Sequence, residues 1–419
     1  MSSLDHNAAA SPAGSAGFCT AANPVKWHIP LILLACVLLA FFDKISIAAL
    51  FSDSHFQQSM GMHFDTTRLG LLMSAFLLSY GFSSIFLSAL GDRIQPPRLL
   101  LGMMLSWCVL MTLMGLTRDY GVMLALRVLL GIAEGPLFPL AFTIVRQHFP
   151  QHLQARATML WLLGTPLGAA LGFPLSLFIL SRFGWQFTFF FMALLTLPLL
   201  LLVQISFRHL RHRLPIGPSA TQNYPSRGAA RRALWRNRHF WLICLFNIAF
   251  LTYLWGINGW LPSYLIEGKG IDLRHAGWLA SMPFVGMLLG EVLGAWLADR
   301  SDRRALTCFI SMAGAGLGLL AVLHLQASWQ VVLCFSASAF LWGAGAPNVF
   351  ALLAKATPAR VSATAGGVFN GVGNFAGALA PLVMGALIAF TGEMNTGLIF
   401  LVVMATLGCL LLLPILKRY

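Results

Sequence analysis

The sequence predicts an all-α membrane protein of twelve transmembrane helices, arranged as two six-helix pseudo-repeat halves. The first observation is composition: 58% of the 419 residues are hydrophobic and 10% are charged, against about 25% charged residues in ordinary soluble domains. The second is that the apolar residues form runs of about twenty, each long enough to cross a bilayer as a helix. The third is that one polar segment in the middle of the chain separates two sets of six runs.

Twelve spans are predicted in chain order. They cover residues 28–50, 69–90, 99–117, 121–145, 157–180, 186–206, 239–261, 277–298, 305–324, 329–353, 362–390 and 395–416. The segment 208–238 between the sixth and seventh spans is rich in Arg, Pro, Ser and Gly, and we interpret it as a flexible cytosolic linker. It divides an N-terminal half, 27–207, from a C-terminal half, 239–419. Residues 1–26 contain no apolar run and are predicted to be a disordered cytosolic tail.

The distribution of positive charge predicts the orientation. With both termini inside, twenty of the 27 Lys and Arg residues fall in inward segments, five fall in outward loops, and Lys44 and Arg127 lie within spans. This asymmetry follows the positive-inside rule. The net charge of +14 is therefore explained by topology, and no nucleic-acid partner is predicted. We predict a multi-pass protein of a cell membrane with both termini cytoplasmic, and a bacterial inner membrane is favoured because the chain has no Asn-x-Ser/Thr sequon.

No catalytic, cofactor or metal site is predicted. The seven cysteines are scattered without a Cys-x-x-Cys pair, and all eleven histidines fall at span ends or in loops. The chain has no phosphate-binding loop and no nucleotide fingerprint. A transporter with this sequence would therefore use an ion gradient rather than ATP.

Four ionisable residues within apolar spans are the main candidates for function: Asp43, Lys44, Arg127 and Glu134. A charge at bilayer depth costs at least ~2.5–3.5 kcal/mol, so such residues usually pair, face a cavity and mark a substrate or proton path. Arg127 and Glu134 are seven residues apart, which places them on one helix face about 10 Å apart. By helical rise, Asp43 and Lys44 are expected level with Arg127, and Glu134 deeper.

Two interpretations of these residues remain open. In the functional one, Glu134 binds and releases a proton, Asp43 is a second proton carrier or the counter-ion of Arg127, and Arg127 and Lys44 attract an anionic substrate. In the structural one, the four charges form salt bridges that hold helices together. Glu291, in the eighth span, is another intramembrane acid, and no role is assigned to it.

An Asp-Arg pair follows the second span of each half, as Asp92-Arg93 and Asp299-Arg300. Basic residues follow both pairs, and Gly294 precedes the second. The chain therefore resembles the major facilitator superfamily over its whole length, in which such loops form a cytoplasmic gating latch between the halves. The first copy departs from the pattern, because Ser88 takes the place of the leading glycine and two prolines interrupt the basic run.

Within that superfamily, four stretches resemble the anion:cation symporters: 42–48, 127–135, 259–265 and 370–374. The spacing of Arg127 and Glu134, followed by Gly135-Pro136, is the most specific feature. Where those symporters commonly have Asp-Arg in the first helix, this chain has Asp43-Lys44. The resemblance implies proton-coupled uptake of a small organic anion, such as a sugar acid or another carboxylate, by alternating access.

The resemblance also suggests further substrate-binding residues, each with a structural alternative. Tyr80 matches a position that contacts substrate in the sugar-acid transporters, but it is equally a helix-packing tyrosine. Trp260 and Tyr264 are substrate candidates or members of an interfacial aromatic belt. Asn370 and Asn374 could line the cavity or form interhelical hydrogen bonds. In the tenth span, Gly343, Gly345 and Pro347 predict a break in the helix.

Other functions of the same sequence stay open. A proton-coupled exporter or an anion exchanger would share the fold. A non-transporting membrane receptor or a membrane-embedded enzyme would belong to other classes, and we find no catalytic pair that supports an enzyme. The predicted partners are a small anionic substrate, protons and the lipid bilayer, and the predicted oligomeric state is a monomer.

Overall fold

A computed structural model describes residues 26–50, 53–61, 66–208, 226–265, 269, 273–300 and 303–418. Most of the predicted tail 1–26 and residues 209–225 of the predicted linker lie outside this part of the chain. The described residues of the N-terminal half form nine α-helices: α1 (His28–Leu50), α2 (Ser54–Ser59), α3 (Thr66–Leu87), α4 (Pro96–Leu116), α5 (Tyr120–Glu134), α6 (Leu137–His148), α7 (Gln154–Leu162), α8 (Gly164–Phe183) and α9 (Trp185–Arg208).

The rest of the chain is also helical. It contains α10 (Arg227–Arg236), α11 (Arg238–Ser263), α12 (Leu273–Arg300), α13 (Arg304–His324), α14 (Ser328–Ala356), α15 (Ser362–Gly377), α16 (Ala380–Thr391) and α17 (Asn395–Leu412). Each predicted span coincides with one helix or with two consecutive helices. Within the described ranges, nine spans are long and apolar enough to cross a membrane on length and composition alone. The predicted fold class, twelve spans in two halves, is confirmed.

Three spans are interrupted by a short break. The fourth consists of α5 and α6 around Gly135-Pro136, the fifth of α7 and α8 around Leu163, and the eleventh of α15 and α16 around Ala378-Leu379. The break predicted in the tenth span is wrong, because α14 continues through Pro347. The amide of Asn348 donates to the carbonyl oxygens of Ala344 (2.9 Å) and Gly294 (3.0 Å), so this part of α14 is held within its own helix and to α12.

The described end of the linker is more ordered than the predicted flexible loop. It contains helix α10, which the sequence analysis did not predict. The Ser226 hydroxyl accepts a hydrogen bond from the Ala229 amide (3.2 Å) and caps this helix. The Arg231 guanidinium donates to the Thr364 hydroxyl (3.3 Å), which connects α10 to the first turn of α15. We call the side of the bundle that holds α10 and the loops after α3 and α12 the linker face; the sequence predicts it to be cytoplasmic.

Candidate transport site

The four charged residues singled out in the sequence lie on α1 and α5, and all four are buried. Helix α5 reaches its position by close packing on α3. A Cβ atom at Gly131 would overlap the Phe76 carbonyl oxygen, and one at Gly135 would lie 2.5 Å from the Tyr80 carbonyl oxygen. Only glycine allows the two backbones to approach this closely. The glycines therefore fix where α5 holds Arg127 and Glu134.

Lys44 pairs with Glu134. Its Nζ atom lies 3.8 Å from Glu134 Oε2, and it sits 4.1 Å from the ring centre of Tyr80 and 4.8 Å from that of Phe41. Both contacts are within the range of a cation–π interaction. The sequence placed Lys44 level with Arg127, but its ammonium group instead meets the carboxylate that was expected to lie deeper. Burial of such a pair is costly unless the geometry is good, so this pair is a poor candidate for a purely stabilising contact.

Arg127 and Asp43 are less completely paired. The Arg127 side chain donates from Nε to the Leu72 carbonyl oxygen (3.3 Å), and its guanidinium lies 4.5 Å from the ring centre of Phe76. Neither Nη atom of Arg127 and neither carboxylate oxygen of Asp43 has a hydrogen-bond partner. Among the described residues, the Asp43–Arg127 ion pair that the sequence allowed does not form. Arg127 thus keeps two buried donors with the fork geometry that suits an anionic oxygen pair.

A central cavity lies between the two halves. From the N-terminal half it is lined by Phe41, Lys44, Tyr80, Phe138, Leu162 and Thr165. From the C-terminal half it is lined by Asn247, Phe250, Leu251, Leu254, Trp255, Glu291, Trp342, Ala346, Val349, Phe350, Phe369, Asn370 and Asn374. Four of the predicted substrate residues line it: Lys44, Tyr80, Asn370 and Asn374. Arg127, Trp260 and Tyr264 do not.

The amides of Asn370 and Asn374 are already hydrogen-bonded. Asn370 donates across the two halves to the Ser84 hydroxyl (2.9 Å) and the Tyr80 hydroxyl (3.4 Å). Asn374 donates to the backbone and side-chain oxygens of Asn370 (2.9 and 3.0 Å), and its own Oδ1 accepts from Trp255 Nε1 (3.2 Å). These asparagines therefore combine a position at the cavity wall with the interhelical role that the sequence left open.

Trp260 and Tyr264 fasten helices of the C-terminal half to one another. The Trp260 indole donates to the Pro381 carbonyl oxygen (2.9 Å), and the Tyr264 hydroxyl donates to Asn395 Oδ1 (3.0 Å). In this structure they are packing residues rather than cavity residues. Two aromatic residues of α11 line the described cavity, Phe250 and Trp255, and sequence reasoning missed both. Glu291 was noticed in the sequence as an intramembrane acid, and its place at the cavity is visible only in the fold.

A sequence profile of the Major Facilitator Superfamily matches residues 33–276 and 253–418, so it covers nearly the whole chain. The chain belongs to this superfamily. It is similar to a probable sulfoacetate transporter of Cupriavidus necator, with 27% identity over 403 residues and 92% of each chain covered. It is also similar to a D-galactonate transporter of Escherichia coli, with 26% identity over 408 residues and coverage of 91% of this chain and 93% of the relative.

A solved structure shows the same fold. FucP of E. coli, a transporter of this superfamily solved in an outward conformation, superimposes with a TM-score of 0.71 at 16% identity, covering 92% of this chain and 98% of FucP. The profile match, rather than this likeness of fold, makes the protein a transporter of the superfamily and not an enzyme, as the sequence predicted.

The first Asp-Arg loop of the transporter joins the two halves at the linker face. Asp92 accepts hydrogen bonds from the backbone amides of Ala363 (2.9 Å) and Thr364 (3.1 Å) and from the Thr364 hydroxyl. An anionic side chain is favoured at this place, because the unpaired amides at the start of α15 carry partial positive charge. Arg146, at the end of α6, adds hydrogen bonds to the hydroxyls of Thr357 (3.0 Å) and Ser362 (3.1 Å). The linker face is closed by these contacts.

The second Asp-Arg loop is described only in part. Its arginine, Arg300, is exposed, as is Arg93 of the first loop. The Arg300 guanidinium lies 3.8 Å from the ring centre of Trp296 on the same helix. Gly294 packs against Ala344 of α14, where a Cβ atom would overlap the backbone. The side chain of Asp299 lies outside what the structure describes. The equivalence of the two loops in gating stays a prediction.

Asp92→Ala should loosen the closed linker face. The substitution removes the acceptor of two backbone amides at the start of α15, and loss of such a cap costs about 1 kcal/mol. We expect hydrogen–deuterium exchange in residues 359–366 to become roughly fivefold faster. Asp119→Ala is the matched control, because Asp119 caps α5 within one half through the Val122 amide (2.8 Å). Equal exchange of 359–366 in all three proteins would show that Asp92 does not hold the halves together.

Gly131→Ala should displace α5 from α3. The added methyl group would overlap the Phe76 carbonyl oxygen, and overpacking of this kind costs about 1–3 kcal/mol. We expect a lower melting temperature and impaired transport, since α5 carries Arg127 and Glu134. Gly102→Ala is the control, because a Cβ at this position of α4 meets nothing within 4 Å and alanine favours a helix. Similar melting temperatures for the two variants would contradict the proposed close packing.

Proposed function

We propose that this transporter takes up a small organic anion, such as a sugar acid or another carboxylate, together with protons by alternating access. The observation that carries the proposal is the buried set of charges on α1 and α5, in which Lys44 both lines the central cavity and pairs with Glu134 at 3.8 Å. The same set contains Arg127 with two unpartnered Nη donors. Two cations suit an anionic cargo, and two carboxylates suit the carriage of protons.

The contact between Lys44 and Glu134 offers a physical route to coupling. An anion that pairs with Lys44 competes with Glu134 for the same ammonium group. Without that partner, Glu134 would be a buried carboxylate lacking a nearby cation, which is an expensive state that proton binding relieves. Substrate and proton would therefore favour each other's binding. Asp43, which has no partner in this structure, is the second candidate to bind a proton.

The class of cargo is supported by the relatives. The probable sulfoacetate transporter and the D-galactonate transporter are both named for organic anions. The cations Lys44 and Arg127 of this chain fit that class by charge alone. A carboxylate or sulfonate can accept two hydrogen bonds from one guanidinium, which suits Arg127 to orient the anionic end of the cargo. Arg127 does not line the cavity in this structure, so it would meet the cargo in another state of the cycle, whereas Lys44 meets it in the cavity seen here.

The closed linker face supports alternating access. Contacts of Asp92 and Arg146 bridge the halves on the side that the sequence predicts to be cytoplasmic. In the proposed cycle the segments 27–207 and 239–419 rock against each other, and these contacts break when the cavity opens to the cytoplasm. We place the protein in a bacterial inner membrane as a monomer with cytoplasmic termini, and the central cavity is complete within one chain.

Proteoliposomes with a trapped pH dye test the proposal. Organic anions, among them D-galactonate and sulfoacetate, are added outside one at a time, and we expect at least one to acidify the lumen. Collapse of the pH gradient should stop accumulation of the labelled anion. No acidification by any anion, with efflux of preloaded anion driven by an inward proton gradient, would instead establish a proton-coupled exporter. Anion-for-anion counterflow without proton movement would establish an exchanger.

A further inference from the structure

The central cavity contains a carboxylate to which the proposed coupling assigns no role. Glu291, on α12, is 1% exposed and lines the cavity on the side of the C-terminal half. Its Oε2 atom has no hydrogen-bond partner, and within the described residues Glu291 forms no ion pair. A buried acid without a partner is unfavourable, so its retention at a substrate cavity indicates contact with something that enters the cavity.

Close helix packing fixes the backbone at Glu291. On the same helix, Gly290 and Gly294 pack so closely on α14 that a Cβ atom at either would overlap the carbonyl oxygens of Phe340 and Ala344. Asn348 of α14 adds a hydrogen bond to the Gly294 carbonyl oxygen (3.0 Å). Helix α12 is therefore clamped to α14 directly beside Glu291. The backbone that carries the Glu291 side chain is therefore fixed beside the cavity, as expected of a preorganised binding group.

The wall on which Glu291 lies is aromatic. Phe250 and Trp342 stack with ring centres 4.2 Å apart, and Trp255 lies on the same side of the cavity. The indole N–H of Trp342 donates to the Phe250 carbonyl oxygen (2.9 Å), and that of Trp255 donates to Asn374. Both indole N–H groups are therefore engaged, and these rings line the cavity as aromatic surface rather than as hydrogen-bond donors. A carboxylate combined with aromatic π-surface is the chemistry that recognises an ammonium group.

The opposite wall shows that this cavity already accommodates an ammonium group among rings. Lys44 Nζ lies within 6 Å of the ring centres of Phe41, Tyr80 and Phe138, with a carboxylate at 3.8 Å. On the other half, Glu291 lines the cavity together with Phe250, Trp255 and Trp342, and no cation of the described residues forms an ion pair with it. The cavity thus presents a fixed cation on one half and an unmatched acid on the other.

The remaining polar groups of the cavity are poorly suited to a cargo with many hydroxyl groups. The amide nitrogens of Asn370 and Asn374 are engaged as described above, and that of Asn247 donates to the Phe369 carbonyl oxygen (2.8 Å). The Thr165 hydroxyl lines the cavity without a hydrogen-bond partner, but one such group and the engaged amides offer few donors to several hydroxyl groups. A cargo with an apolar or aromatic body and one charge at each end meets the cavity more completely.

We propose that Glu291 binds a protonated amino group of the cargo, so that the transported organic anions are amino acids in the broad sense, with an acidic and an ammonium end. This rests on the proposed function for the acidic end, which Lys44 and Arg127 would hold. A second proton carrier is the rival role for Glu291. We favour the ammonium site because the aromatic wall strengthens the binding of an ammonium ion and contributes nothing to the binding of a proton.

Matched pairs of ligands test the proposal on the full-length protein in detergent. The pairs are hexanoate and its ω-amino derivative, and phenylacetate and its para-aminomethyl derivative, with benzylamine as an amine without an acid. Affinities are read from titrations of the melting temperature. We expect the amino member of at least one pair to bind about tenfold or more tightly than the plain acid, as for a hydrogen bond to a charged group. Equal affinities within both pairs, or no binding of any amino member, would refute the proposal.

Variants of Glu291 then test whether this residue causes the preference for the amino member of each pair. Glu291→Gln should abolish the preference for the amino member and leave the affinity for the plain acid unchanged, whereas Glu291→Asp should retain part of the preference. Glu393→Gln is the matched control, because Glu393 is exposed at the far end of the C-terminal half. An undiminished preference in a folded Glu291→Gln protein would contradict the proposal. If Glu291→Gln also lost proton coupling while the preference stayed intact, Glu291 would be a proton carrier instead.

The two proposals fail in different ways. If phenylacetate is accumulated with protons and the amino group adds no affinity, the ammonium site is wrong and anion transport stands. If benzylamine binds in a manner that depends on Glu291 while no anion binds or is transported, the ammonium site stands and the proposed anion uptake is wrong.

Discussion

Glu134→Gln is expected to abolish proton-driven accumulation of the anion while exchange of labelled for unlabelled anion continues. Glutamine has nearly the volume of glutamate but cannot bind and release a proton in this way. The substitution therefore removes the proposed coupling step and leaves the cavity lining unchanged, because Glu134 lies behind Lys44 and does not line the cavity. Lys44 remains available to an anion in the variant, so binding should persist.

The experiment compares concentrative uptake with counterflow in the same proteoliposomes. Removal of one partner of a buried ion pair costs about 3–5 kcal/mol, so the melting temperature of the variant must first show a folded protein. Glu393→Gln, an exposed glutamate outside the site, is the control and should accumulate normally. Accumulation by folded Glu134→Gln that still follows the pH gradient would remove Glu134 from coupling, and Asp43→Asn would then be expected to uncouple instead.

The number and order of the spans could be predicted because a membrane helix is a local property. About twenty apolar residues are enough to identify one, whatever surrounds it. The course of a helix through a proline is not local. Gly135-Pro136 ends α5, whereas Pro347 leaves α14 intact, where Asn348 bonds to α12 and to its own helix. The sequence shows a proline in both places and does not show the neighbouring helix that compensates for it.

The same distinction between local and non-local properties applies to the site. The cost of burying charge was sufficient to single out Asp43, Lys44, Arg127 and Glu134, and all four are buried. Their pairing was not predictable from helical rise, because the Lys44 side chain is long enough to reach a carboxylate at another depth. Aromatic residues near a span end are ambiguous for a different reason. Trp260 contacts Pro381 while Trp255 lines the cavity, and only the packing of α11 against α15 and α16 distinguishes the two.

Arg127→Ala is expected to reduce both uptake and counterflow by about a hundredfold or more at every pH. Its two Nη donors are buried without partners, and each charged hydrogen bond to an anionic oxygen contributes about 1.5–3 kcal/mol. Loss of two such bonds removes binding itself, which no proton gradient restores. This distinguishes Arg127 from Glu134, whose replacement should spare counterflow. Arg127→Lys keeps the charge without the bidentate fork and should fall between wild type and Arg127→Ala.

The alternative is that Arg127 is a structural clamp. Its Nε donates to the Leu72 carbonyl oxygen of α3, and its guanidinium packs on Phe76 of the same helix. A clamp predicts a lower melting temperature for Arg127→Ala and substrate affinity that survives in the folded fraction. Arg118→Ala, in the exposed loop before α5, controls for the loss of a positive charge near the site. Undiminished anion affinity in Arg127→Ala would assign Arg127 to packing, and Lys44 would then be the cation that binds the anion.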